Sequence, residues 1–103
     1  MKPTPYQVLA MVSLPVLETL EETDGNALGG IPSSYAWLAL QGLGASLDYY
    51  HSWLETMQTM KALTIRRNLL MKGPKFEYHL ECFKLAYAEF KRIKAAKLEA
   101  VKA

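Results

Sequence analysis

The stretch that most constrains the fold is ALQGLGASLDYY, Ala39 through Tyr50. Gly42 and Gly44 sit in a short gap between two apolar runs, and Ser46 and Asp48 follow at once. Glycine accommodates the left-handed residue that closes a helix, so one helix is expected to stop at Gly42. Ser46 suits the N-cap of the next helix, and Asp48 falls in its first turn, where the helix dipole favours negative charge. Two helices joined by so short a turn are neighbours in space, and the rest of the chain must pack around them.

The flanking punctuation is equally clear. Thr4-Pro5 is a helix start, with threonine as N-cap and proline at the first helical position. Tyr6, Leu9, Val12, Val16, Leu17 and Leu20 then recur at helical spacing. Pro15 is expected to kink this helix, or to divide it with Ser13 capping the second piece. EETDGNALGG ends it in a loop, with a brief strand near Ala27-Leu28. In the second helix Ser33 or Ser34 serves as the cap, and Tyr35, Leu38 and Trp37 are expected to pack inward. In the third, after Ser46, Leu47, Tyr50, Leu54 and Met57 share one face. Leu63–Arg66 reads as a strand, Asn68 as a turn, and Leu69–Met71 as a return strand before the Gly73-Pro74 break. From about Lys75 to Ala103 the chain reads as one long helix.

The order is thus helix, helix, glycine turn, helix, β-hairpin, helix. From GGIPSSYAWLALQ through LGASLDYYHSWLETMQTMKALTIRRNLL the chain resembles the winged helix-turn-helix superfamily. An apolar helix ends in glycine, a serine-capped helix of about four turns follows, and KALTIRRN is similar to the entry into the first wing strand. Ala62 stands where that entry usually has glycine. The resemblance covers roughly residues 5–76. It implies a mainly α fold, three helices and a short β-hairpin wing, as a domain over residues 1–76. Residues 77–103 then form a C-terminal helix that completes the core or dimerises. The superfamily contains DNA readers, RNA readers and protein-binding modules, so fold alone does not decide function.

Charge is the next guide. Residues 1–60 hold one basic residue against six acids, a balance of −5; residues 61–103 hold eleven against four, a balance of +7. Such a division points to a polyanionic partner for the second half, or to two halves that attract each other. With the third helix set on its apolar face, Asp48, Ser52, Glu55 and Thr59 lie outward, and no lysine or arginine appears before Lys61. Two carboxylates oppose the electrostatic term that dominates DNA affinity. Ser46, Tyr49, Ser52 and Thr56 remain as hydrogen-bonding candidates, and Lys61, Arg66, Arg67, Lys72 and Lys75 supply the positive charge at the hairpin. The resulting expectation is a small transcriptional regulator that grips double-stranded DNA with a basic wing and the end of the third helix.

A second reading uses the same fold as a protein-interaction adaptor or inhibitor, through the acidic and aromatic face of Asp48, Tyr49, Trp53 and Glu55. The last helix has two readings as well. Its seam of Leu80, Phe83, Tyr87 and Phe90 either folds back on the first helix or meets its twin in a homodimer, and the helix length favours the dimer.

Catalysis, cofactors and metals are not expected. Gly29-Gly30 lacks the lysine and serine of a phosphate loop, and no serine stands in a nucleophile context. His79 and Cys82, three residues apart, lack further ligands. Cys82 is the only cysteine, which suits a reducing cytoplasm. No apolar run approaches the roughly 20 residues of a membrane span, and the N-terminus does not read as a signal peptide.

Overall fold

A computed structural model of the chain describes residues 2–22 and 30–102. These residues form α1 (Pro5–Glu22), β1 (Ile31–Pro32), α2 (Ser33–Gly42), α3 (Leu47–Thr59), β2 (Leu63–Arg66), β3 (Leu69–Lys72) and α4 (Phe76–Lys102). The fold is mainly helical, with a small antiparallel sheet in the order β1-β3-β2. The strand expected near Ala27-Leu28 lies outside the described residues. Ile31 and Pro32 pair with Leu70 and Leu69, on the free edge of the hairpin.

Helix α1 starts as its sequence dictates. Thr4 Oγ1 accepts from the Gln7 backbone N–H at 3.1 Å, and Gln7 Oε1 accepts in return from the Thr4 N–H at 2.9 Å, a reciprocal capping box. Pro15 does not divide the helix, which runs unbroken to Glu22. Buried Val12, Leu14, Val16, Leu17 and Leu20 lie on both sides of the proline. Their packing outweighs the roughly 3 kcal/mol that an internal proline costs. Ser13 caps nothing. It is wholly buried, and its Oγ accepts a 2.8 Å hydrogen bond from Trp53 Nε1.

That bond fixes the rotation of α3. Its inward residues are Tyr50, Trp53 and Met57, with Leu54 partly buried, while Leu47 is exposed. The helix is therefore turned toward Trp53 from the face that Leu47 and Leu54 suggest. Helix α2 is rotated too. It buries Ala36 and Leu40 and leaves Tyr35 and Leu38 exposed, while Trp37 packs on Tyr50 with ring centroids 5.2 Å apart. Small Ala36 lets α2 approach the core closely, so its larger neighbours stay outside.

Both turns at the ends of α2 and α3 close by one pattern. After α2, Ala45 N–H bonds to the Leu40 carbonyl and Gly44 N–H to the Gln41 carbonyl, with Gly44 at φ +92°. The left-handed residue is Gly44, and Gly42 is merely the last helical one. Ser46 then caps α3 as expected, its Oγ accepting from Tyr49 N–H at 3.1 Å. Neither Ser33 nor Ser34 caps α2; Pro32 occupies that position without a side-chain bond.

Helix α4 packs most extensively on α1. Tyr6 meets Phe83 near the start of both helices, and Glu18 and Lys91 line one groove further along, so the two run in the same direction. Phe76, Leu80 and Phe83 join the same buried cluster as α1, α3 and the sheet. Of the seam expected at a dimer interface, Leu80 and Phe83 are thus enclosed within the chain. Tyr87 packs partly buried against the cluster, and Phe90 is 8% exposed. The α1 helix already supplies the apolar partner that this face requires. Among the described residues no helix is long and apolar enough to cross a membrane.

Candidate nucleic-acid interface

The hairpin is set by its turn. Arg66 pairs with Leu69, leaving Arg67 and Asn68 as a two-residue connection at φ 53° and 63°. Positive φ at both central positions is the type I′ turn, whose twist suits a hairpin and whose usual residues are Asn-Gly. Arginine in the left-handed region costs about 1 kcal/mol or more. The surrounding bonds hold it there. The Asn68 carbonyl accepts from Ser33 N–H at 2.8 Å, and the Ser33 carbonyl accepts from the Tyr50 hydroxyl at 2.9 Å. A continuous chain of hydrogen bonds therefore runs from α3 through the start of α2 to the hairpin tip. Arg66 and Arg67 are exposed on a tip fixed to the core.

At the other end of the hairpin a second knot forms. Past the end of α3, Lys61 adopts φ 65°, while its N–H bonds to the Gln58 carbonyl and Ala62 N–H to the Met57 carbonyl. This repeats the closing pattern of α2 with a lysine in the glycine position. The Lys61 carbonyl accepts from Lys75 N–H at 2.9 Å, and the Ala62 carbonyl from Gly73 N–H at 3.0 Å. A side chain at position 73 would run into the Lys61 carbonyl, so only glycine fits that crossing. His79 Nε2 lies 2.9 Å from the Met60 carbonyl and ties α4 to the same point. That contact makes His79 a structural group. Cys82, its neighbour at three residues, lies near Tyr6, where burial first and then Cys82 push the phenol above its ordinary value.

The two knots bring exposed Lys61 and Lys75 together at the hairpin base, roughly 13 Å from the arginine tip at the rise of a strand. Lys72 is used differently. Its Nζ stands 3.6 Å from a Glu77 carboxylate oxygen and 5.0 Å from the centre of the Phe76 ring, holding the start of α4. Of the five basic groups expected at the site, four are exposed and the fifth fastens the hairpin to α4.

Helix α3 contributes less. Ser52, Glu55, Thr56 and Thr59 line a shallow surface depression of 300 Å³, and Asp48 is exposed on the first turn. Tyr49 turns away from them, lining a hollow with Val8, Val12, Leu43 and Ala45, and burial pushes its hydroxyl above the ordinary value of 10.0. Ser46 spends its oxygen on the cap. Trp53, expected to anchor a partner surface with Asp48, Tyr49 and Glu55, is 1% exposed, because Ser13 gives its indole N–H a buried acceptor. The feature that sequence reasoning missed is the left-handed Lys61. Its signal is position, one residue past the helix cap, where glycine is usual.

Comparisons with protein-family models, with curated proteins and with solved structures return no match to this chain.

Proposed function

We propose that the chain is a winged helix-turn-helix protein, a small regulator that binds double-stranded DNA chiefly through its hairpin. The reading rests on the element order with a β1-β3-β2 sheet, in which α3 follows a tight turn and the β2–β3 hairpin is the wing. The observation that carries it is the fixed hairpin tip, where Arg66 and Arg67 project from a left-handed turn bonded to the core. A left-handed arginine is maintained against its conformational preference, as happens where a side chain must be presented in one place. Lys61 and Lys75 at the base extend the positive surface, while the outer face of α3 presents Asp48 and Glu55. In this reading the wing grips phosphates and α3 supplies at most the neutral donors Ser52 and Thr56.

The experiment is a mobility shift on mixed-sequence duplex DNA at low and moderate salt. The expected result is retardation at low salt that weakens steeply as salt rises. Absence of retardation at low salt would sink the proposal. The rival reading, a protein-binding face on α3, loses its aromatic anchor with the burial of Trp53.

A further inference from the structure

With its inner face taken by α1, α4 leaves an opposite side on which Tyr78 is 65% and Leu85 63% exposed. At steps of three and four residues, Tyr78, Glu81, Leu85, Ala88, Arg92 and Ala95 form one exposed stripe, which at Ala88 borders the groove between α4 and α1. The stripe has an internal order. Its first half carries two large groups and an acid; its second half carries two alanines and a base.

We propose that this stripe binds the same stripe of a second copy, the two α4 helices running antiparallel about a two-fold axis between Ala86 and Tyr87. Each residue then meets its complement. Tyr78 of one copy lies over Ala95 of the other, Leu85 over Ala88, and Glu81 beside Arg92. The symmetry repeats every pair, as an isologous interface requires. A parallel pairing would instead set Glu81 against Glu81 and Arg92 against Arg92, with tyrosine stacked on tyrosine and alanine left facing alanine. Arg92 is held by its own helix and keeps donors to spare. Glu89 of its own chain accepts from Nε at 3.2 Å and from one terminal nitrogen at 2.5 Å, and the remaining guanidinium N–H groups can take a second carboxylate.

The pairing also bears on the DNA reading, on which this one consequence rests. At the rise of an α-helix the starts of the two α4 helices, near Phe76, lie about 32 Å apart along the helix axes. The two-fold axis keeps both hairpins on the same side of the helix pair. Half-sites on one face of B-DNA recur about every 34–36 Å, close to the spacing of the two helix starts from which the hairpins extend.

Sedimentation equilibrium on the full chain tests the interface, at protein concentrations on the order of 10 to 500 μM. The apparent mass should rise from 11.6 kDa toward twice that value. Leu85→Asp, at an exposed position, should keep the helical circular dichroism and stay monomeric throughout. Glu81→Arg and Arg92→Glu should each weaken association by about tenfold or more, and the two combined in one chain should restore it. Parallel pairing offers no such rescue, because the combined variant keeps like charges opposed. A wild-type chain that stays monomeric, or a dimer indifferent to Leu85→Asp, would overturn the interface; a combined variant as weak as the single ones would overturn the antiparallel register. Because a monomer can still retard DNA, this result and the mobility shift fail separately.

Discussion

Helix α3 and the β2–β3 hairpin are consecutive in sequence, and both combine a buried and an exposed side, yet they use them differently. Helix α3 gives the core its largest fully buried side chain, Trp53, with Tyr50 and Met57, and leaves two acids outside. The hairpin gives the core Leu63 and Leu70 and holds two arginines at its tip. One element is committed inward, and the other presents charge outward at a conformational cost. A tight turn between two helices therefore specifies an arrangement of elements without specifying which of them meets a partner.

The largest expected effect tests the inward half of this contrast. Trp53→Ala should destabilise the chain by about 3–5 kcal/mol in urea denaturation, since it opens a core cavity and leaves Ser13 without its donor. Ser52→Ala and Glu55→Ala, on the outer face of the same helix, should stay within about 0.5 kcal/mol of wild type. An unchanged midpoint for Trp53→Ala would mean that α3 is not a core helix.

The outward half is tested by charge. Replacing Arg66 and Arg67 together by alanine should lower the slope of log affinity against log salt by about 2 and weaken duplex binding on all sequences alike. Asp48→Asn with Glu55→Gln should do the opposite on a smaller scale, strengthening binding by removing repulsion. If the α3 pair governs affinity and the arginines do not, the contrast is inverted.

The third effect is smaller and separates stability from binding. Arg67→Gly removes the strain of a left-handed arginine, at the cost of a more flexible unfolded chain. The net gain should be a few tenths of a kcal/mol to about 1 kcal/mol, with weaker retardation of DNA. Lys61→Gly should stabilise to the same degree, because the same left-handed geometry recurs there. Loss of stability in both variants would show that those side chains hold the fold.

Much of this arrangement was legible where the signal is local. The Thr4 and Ser46 caps, the helical stretches and the Leu63–Arg66 strand follow from residues within a few positions of one another. What escaped depends on contacts far apart in sequence. Strand β1 is two residues long, too short for any periodicity, and exists because Ile31 and Pro32 reach β3. The rotation of α3 turns on a bond between Ser13 and Trp53, forty residues apart, that no pattern within the helix encodes. Leu80 and Phe83 read as core or interface, with helix length favouring the interface, until α1 is seen to cover them. The basic hairpin was visible in composition, but the bonds that fix it run through Ser33 and Tyr50, on two other elements.

The smallest effect concerns alkaline pH and the bond chain joining α3 to the hairpin. Burial pushes the hydroxyls of Tyr49 and Tyr50 above the ordinary value of 10.0. A raised value means the folded chain holds these protons after the unfolded chain has released them. The unfolded state then binds fewer protons, and stability falls as pH rises. This contribution is complete below pH 10 and is lost above it, as pH climbs toward the folded values. Tyr50 adds a direct reason, since its phenolate cannot donate to the Ser33 carbonyl. Tyr50→Phe should cost about 1 kcal/mol at neutral pH for the lost hydrogen bond, and its stability should decline less between pH 10 and 11 than that of wild type. Denaturation curves at pH 7, 10 and 11 check both. Equal alkaline slopes for the two proteins would detach Tyr50 from the hydrogen-bond path that holds Arg66 and Arg67 in place.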